Sequence, residues 1–356
     1  MNFNRNGEKI MKKRWMTIVA GICALALLGG CAGGAISNDN ITIKQYKGLE
    51  VDKVEEIAVT DEDVEMSIQS DLETLATKTD ITDRPAALGD IAIIDFEGKK
   101  DGVAFEGGAG TDYELELGSG QFIDGFEDGV VGHNVGETFD LDLKFPEEYG
   151  NAELAGQAVV FTVTLKGLQQ KNVPELTVDV LAQLGSKATT IEEYKAQIRS
   201  DLEVSNAETA ESALLGSVWE ALVDNCDVKK FPEGMLEEYE KNLKEQYTYY
   251  AQMYGMEIEE FFKQMFGMSA EEVAKTSATQ ELAIGLIAEK EGLTISDKAY
   301  EEGVKELASQ YGYEDTEEFV KAYSEEGIRQ ALLQEKVGNF LVEHCVQVEP
   351  KEDKEK

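Results

Sequence analysis

This 356-residue sequence is poor in the residues that most enzymes use for chemistry: it has two histidines, four cysteines and five prolines. His133 and His344 are too few for a zinc cluster, and no Cys-x-x-Cys pair supplies the missing ligands. Neither a P-loop nor a Gly-x-Ser-x-Gly elbow occurs. Positive charge is also short, with 33 Lys and Arg against 71 Asp and Glu and a formal charge of −38. Phosphate repels a chain this acidic unless basic residues are concentrated in one patch, so nucleic acid is not an expected partner. An enzyme built from this sequence is expected to need no nucleophile, metal or cofactor. The 42% of hydrophobic residues is enough for packed cores, and the length suits two domains.

The basic residues that do occur together open the chain. Lys9, Lys12, Lys13 and Arg14 precede an apolar run from Met16 to Leu28, which ends Leu28-Gly29-Gly30-Cys31. The run is short for a membrane span and has the layout of a secretory signal. Its ending resembles the lipobox of bacterial lipoproteins, which implies lipidation of Cys31, anchorage in a lipid bilayer and an extracytoplasmic location. Residues 1–31 read as the lipoprotein signal segment; Cys23 leaves with the signal while Cys31 stays as the lipidated residue, so Cys226 and Cys345 are the other cysteines of the mature chain. In an oxidising compartment they are candidates for a disulfide, the alternative being two separate, partly buried thiols.

Residues 32–84 read as a tether, small and polar over 32–40, followed by a connector helix. Thr60-Asp61-Glu62-Asp63 starts that helix, and Val64, Ile68, Leu72 and Leu75 form its apolar stripe. From Asp90 the period becomes 2, and strands are predicted at Ile91–Phe96, Tyr113–Leu117, Phe139–Leu143 and Val159–Leu165. Gly107-Gly108, Gly118-Ser119-Gly120 and the glycines at 132 and 136 are expected to mark the turns between them. A short helix fits Phe122–Val130. The fold class is therefore α+β over 85–170, an antiparallel sheet with one short helix. Residues 171–350 then read as seven or eight helices without strands, ahead of a charged tail at 351–356. Capping-box spacing at Thr190/Glu193, Ser269/Glu272 and Asp315/Glu318 marks three of the starts. Such a pattern excludes the alternating strands and helices of a solute-binding lipoprotein.

Three motifs are more specific than the periodicity. They are Gly89-Asp90-Ile91-Ala92-Ile93-Ile94-Asp95-Phe96, Leu117-Gly118-Ser119-Gly120-Gln121-Phe122-Ile123-Asp124-Gly125-Phe126-Glu127-Asp128-Gly129, and Phe145-Pro146-Glu147-Glu148-Tyr149. In order and spacing they resemble the FKBP-type peptidyl-prolyl isomerase domain, in the version found in trigger factor. Tyr46–Val51, Val59–Val64, Pro174–Thr177, Phe231-Pro232 and Phe266–Glu272 are similar to landmarks of the same family outside that domain. The resemblance implies an FKBP-like sheet followed by a helical chaperone domain of the trigger-factor/SurA-like type. It also implies prolyl isomerase activity without a cofactor, and unfolded or nascent, proline-containing polypeptides as partners. Trigger factor begins with a basic ribosome-docking domain. Here the leader stands in its place, so no ribosome binding is expected and the clients are exported polypeptides.

Carried onto this sequence, the FKBP pocket consists of Phe96, Phe105, Tyr113, Phe122, Ile123, Phe126, Tyr149 and Phe161. Glu106 stands at the position of a common Asp, and the Ile123 N–H is the implied donor to a substrate carbonyl. His133 reads as structural. In the helical part, Tyr250, Met253, Tyr254, Phe261, Phe262, Met265 and Phe266 form a Met-rich aromatic cluster. Such a surface suits a binder of many unrelated apolar segments, the alternative being the core of a helix hairpin.

Overall fold

The computed structural model describes residues 34–350; the leader, Cys31 and the 351–356 tail lie outside the described residues. Ala58–Ser205 form one compact unit, and the described residues up to Ile57 and from Asn206 onward form the other. The first unit thus interrupts the second in sequence.

The segment read as a tether is folded. β1 (Ile36–Ser37) turns back antiparallel on β2 (Ile41–Ile43), with Ile36 opposite Ile43, and β3 (Glu50–Asp52) follows. Asn38 closes the turn, its Oδ1 accepting from the Asn40 and Ile41 N–H groups at 2.9 Å each. Ile36, Ile41, Ile43, Tyr46, Leu49 and Val51 are all buried. Strands of two or three residues are too short to show a period, and the polar turn at 37–40 resembles a linker in composition.

In the Ala58–Ser205 unit, α1 (Asp61–Glu73) starts on a Thr60/Asp63 capping box. β4 (Thr77–Asp80), β5 (Asp90–Lys100) and β6 (Val103–Glu116) precede α2 (Phe126–Val130), β7 (Thr138–Lys144) and β8 (Ala158–Asn172). The sheet is antiparallel in the order β4-β8-β5-β6, with β7 also pairing β8. Two expectations change here. β4, placed in the connector by the sequence reading, is part of this sheet. The turn expected at Gly107-Gly108 is instead at Asp101-Gly102, where both residues have positive φ, as a two-residue hairpin turn of that handedness requires. α3 (Val178–Gln183) and the start of α4 (Ile191–Asp224) pack Val180, Leu181 and Tyr194 on Val64, Ile68 and Leu72 of α1, a small core apart from the sheet.

In the other unit come β9 (Cys226–Val228), α5 (Met235–Met253), α6 (Ile258–Phe266), α7 (Ala270–Glu291), α8 (Asp297–Gln310), α9 (Thr316–Tyr323), α10 (Glu325–His344) and β10 (Val346–Val348). This part is therefore not purely helical. β9 pairs β2 antiparallel and β10 runs parallel to β3. The resulting core joins Ile41, Ile43 and Leu49 to Val218 and Leu222 of α4, Ile284 and Ile287 of α7, and Val337 and Leu341 of α10.

Cys226 and Cys345 are both free, which corrects the disulfide candidate. They border different sheets, Cys226 in β9 and Cys345 just before β10, and each Sγ donates to a carbonyl at the end of the preceding helix, Leu222 O and Val342 O at 3.2 Å. Burial pushes the Cys226 thiol up to about 12 and raises Cys345 as well. Cys226 and Cys345 should therefore react slowly with an aromatic disulfide reagent at pH 8 in the folded chain, and rapidly once urea is added. Ile43→Ala should cost this unit about 2–5 kcal/mol in urea unfolding, the range for truncation of a fully buried side chain.

Candidate functional site

The strands and the short helix bring a set of aromatic rings to one face of the sheet. Phe96 on β5 is central, with ring centroids 5.2 Å from Phe122, 5.9 Å from both Tyr113 and Phe126, and 6.2 Å from Phe161. Phe122 stacks on Phe126 at 4.2 Å, and Phe126 meets Phe161 edge-on at 5.2 Å. Phe105 extends the set through Phe161 and Phe145, at 5.9 and 5.8 Å, and Phe145 carries Tyr149 at 4.6 Å. Phe126 is fully buried at the centre of the set, while Phe96, Phe105 and Phe122 are half-buried and Tyr113 and Tyr149 are exposed at the edge. The edge-to-face angles suit the ring quadrupoles.

Glycines in the strands make room for these rings. A Cβ on Gly110 would lie 2.6 Å from the Phe96 ring, one on Gly108 2.5 Å from Phe105, and one on Gly98 2.6 Å from both Phe105 and Phe161. Gly107 and Gly108 therefore belong to β6 itself, where at least Gly108 lets a ring lie against the backbone.

The loop between β6 and α2 is organised by one buried carboxylate. Glu127 accepts from the N–H groups of Gly118 at 2.7 Å, Gly120 at 3.1 Å and Phe122 at 3.3 Å, and from the Ser119 hydroxyl at 3.3 Å. Burial pushes its pKa up, but these donors outweigh burial and hold the group below the ordinary carboxylate range. The Phe122 backbone is thereby held through its N–H, and the next N–H, that of Ile123, has no protein acceptor among the described residues. Beside this loop the buried Asp90 takes both Arg84 nitrogens, at 2.6 and 2.8 Å, and the Ala87 N–H at 2.9 Å. Its pKa too is lowered, chiefly by Arg84.

A second aromatic group lies on the α5–α6 hairpin. Tyr247 touches Phe261, Phe262 and Phe266 at 5.9, 5.5 and 5.3 Å. Phe261 and Phe262 are buried, whereas Tyr249, Tyr250, Met253, Tyr254, Met265, Phe266 and Met268 are exposed. Behind the hairpin, α7 presents the small buried residues Ala270, Ala274 and Ala278, which allow close approach but cover little apolar surface.

Residues 82–166 match the FKBP-type peptidyl-prolyl cis-trans isomerase family, and residues 190–343 match the C-terminus of the bacterial trigger factor protein. The trigger factor of Thermoanaerobacter sp. (strain X514) is 37% identical over 314 residues, 86% of this chain and 72% of that protein. That of Clostridium acetobutylicum is 36% identical over 327 residues, 87% of this chain and 73% of that one. A trigger factor chaperone of known structure aligns over 95% of this chain and 86% of its own, at 19% identity and a TM-score of 0.44. The chain belongs to the trigger factor family. It is a peptidyl-prolyl isomerase chaperone of that family, with an FKBP-type domain and a helical C-terminal module.

Against this trigger-factor framework the site residues read from sequence can be placed. Phe96, Phe105, Tyr113, Phe122, Phe126 and Phe161 form one continuous ring set, Ile123 packs beside it, and Tyr149 joins only through Phe145. Glu106 is exposed on β6 and makes none of the contacts that build the pocket. Phe261 and Phe262 are corrected from client surface to hairpin core, because both are buried and pack against Tyr247 of α5. His133 stacks on Phe139 at 3.6 Å and bonds Glu137 at 2.6 Å, away from the rings. Sequence reasoning missed Phe145, which bridges Phe105 and Tyr149, and Glu127, although both stand inside the motifs that marked the family.

Three outcomes follow from this geometry. Glu127→Gln should destabilise the isomerase unit by about 1.5–3 kcal/mol, the value of hydrogen bonds to a charged group, and lower the rate of prolyl isomerisation of a model peptide. Gly98→Ala should cost about 1–3 kcal/mol through forced ring displacement. Because the pKa values of Glu127 and Asp90 are depressed in the folded state, their stabilisation is complete above the ordinary carboxylate range and is lost as pH falls through the lowered values. Urea midpoints measured from pH 7 to pH 3 should drop accordingly, and less so in Glu127→Gln.

Proposed function

We propose that the chain is an exported, lipid-anchored prolyl isomerase and holdase that assists the folding of secreted polypeptides. The observation that supports the isomerase reading is the ring set around Phe126 with the unpartnered Ile123 N–H at its edge. Rotation about a prolyl peptide bond must cross a barrier of roughly 18–20 kcal/mol, because amide resonance is broken in the twisted state. Twisting reduces the amide dipole, so an apolar cradle favours the twisted state over the planar one without acid, base or metal. Phe126 supplies the floor beneath the prolyl ring, Phe96, Phe122 and Phe161 the walls, and Tyr113 and Tyr149 the rim. The Ile123 N–H holds the carbonyl of the bound peptide.

Tyr250, Met253, Tyr254, Met265 and Phe266 supply the holdase surface for unfolded, proline-containing clients. Export and anchorage rest on the basic residues 9–14, the apolar run and Leu28-Gly29-Gly30-Cys31. The clients are then polypeptides met after export rather than on the ribosome. The net charge of −38 keeps a chain with exposed apolar side chains soluble.

Phe126→Ala should slow isomerisation of an Ala-Pro or Phe-Pro peptide at least about tenfold, equivalent to 1.4 kcal/mol of barrier. A rate equal to the parent would leave the chain a holdase with an idle FKBP domain. Cys31→Ser should move the protein from the membrane fraction to the soluble fraction in a cell fractionation.

A further inference from the structure

The first described residues set a limit on how far the protein stands from the membrane. Ile36 is already in β1, and its side chain is built into the core with Ile41 and Ile43. Cys31 is only five residues upstream, and five residues span at most about 18 Å even when fully extended. A polypeptide anchored at Cys31 therefore has no long tether, and the edge of the helical unit formed by β1, β2 and β9 is held within that distance of the lipid.

The chemistry of this edge differs from that of the rest of the molecule. Lys229 and Lys230 follow β9, and both backbone N–H groups donate to Asn40 O, which ties them to the β1–β2 turn. The Lys229 ammonium donates to Ser37 Oγ at 2.5 Å and Asn38 O at 2.7 Å, both neutral acceptors. Lys230 is exposed, and among the described residues neither lysine has a carboxylate within ion-pair distance. Asp227 on β9 is neutralised by Lys44 of the adjoining loop at 3.0 Å, leaving Asp39 as the unpaired acid of the turn.

We propose that this β1–β2–β9 edge is a membrane-facing surface whose lysines contact anionic phospholipid headgroups. The short leash brings it to the bilayer, and charge selects the orientation. An anionic surface repels the acidic remainder of the chain and accepts the edge where Lys229 and Lys230 outnumber the one unpaired acid, Asp39. The helical unit is thereby presented at the membrane in one orientation, where an emerging polypeptide is first met.

The proposal rests on the lipid-anchor reading, and its test separates the two. The full chain is expressed in a bacterial host, and the mass of its Cys31 peptide reports lipidation. The purified protein is placed in vesicles of phosphatidylglycerol or phosphatidylcholine carrying a dansylated headgroup. After cleavage at Cys31, Trp15 is gone and Trp219, which packs against the same core as Ile36, is the one tryptophan donor. Strong energy transfer is expected in both vesicles. A Gly/Ser insert of about 20 residues between Gly34 and Ala35, with a root-mean-square span of about 25 Å, should lower transfer at least about threefold in phosphatidylcholine. In phosphatidylglycerol transfer should persist, and Lys230→Gln, which removes no hydrogen bond, should weaken that residual association about fivefold. Lipid on Cys31 with weak transfer from the uninserted chain overturns the surface and leaves the anchor standing. Equal transfer from the inserted chain in the two lipids, or no effect of Lys230→Gln, overturns the lysine contact. An unmodified Cys31 overturns the anchor, and the membrane-facing surface with it.

Discussion

The pairing of β2 with β9 and of β3 with β10 is the constraint on which the helical unit depends. It joins the first described residues to strands that lie beyond the whole isomerase unit in sequence. Closing so long a loop costs entropy, but that cost grows only slowly with length. Burial of Ile41, Ile43, Tyr46 and Leu49 against α4, α7 and α10 offsets it, at roughly 1.5–3 kcal/mol for each large apolar side chain. The isomerase domain is therefore carried as an insertion in a unit whose own core is complete without it.

Within that insertion, the pocket depends on a balance between large rings and residues with no side chain. Phe96, Phe105 and Phe161 can approach their strands only because Gly98, Gly108 and Gly110 leave the backbone bare. Glu127 performs the corresponding task at the loop, collecting three backbone N–H groups and one hydroxyl on a single carboxylate and so fixing the path of the loop. An apolar site that acts by shape and low polarity must hold its rings still, and these two devices do so without placing a charge against the substrate.

The hairpin of α5 and α6 works on the opposite principle. Its core is thin, with Phe261 and Phe262 inside and several tyrosines and methionines left outside, because the alanines of α7 provide contact without cover. A surface that is apolar, flexible in its side chains and only partly supported can adapt to unrelated segments.

Much of this was legible in the amino-acid sequence. The alternation over Ile91–Phe96 and Val159–Leu165, the Phe122–Gly129 motif, the helix start at Thr60 and the capping box at Ser269 depend on residues near one another in the chain. Local spacing therefore specified four strands of the isomerase sheet and its short helix, while the motifs carried the resemblance to the family, through which the ring residues were read. What the sequence could not decide depended on distant partners. Residues 36–52 are core rather than tether because β9 and β10 reach them. β4 belongs to the isomerase sheet because β8 is long enough to pair it. Cys226 and Cys345 stay free because they border different sheets, and Phe261 and Phe262 face inward because Tyr247 and the neighbouring helices enclose them. Periodicity records which face of an element is apolar, whereas only tertiary contact determines what covers that face.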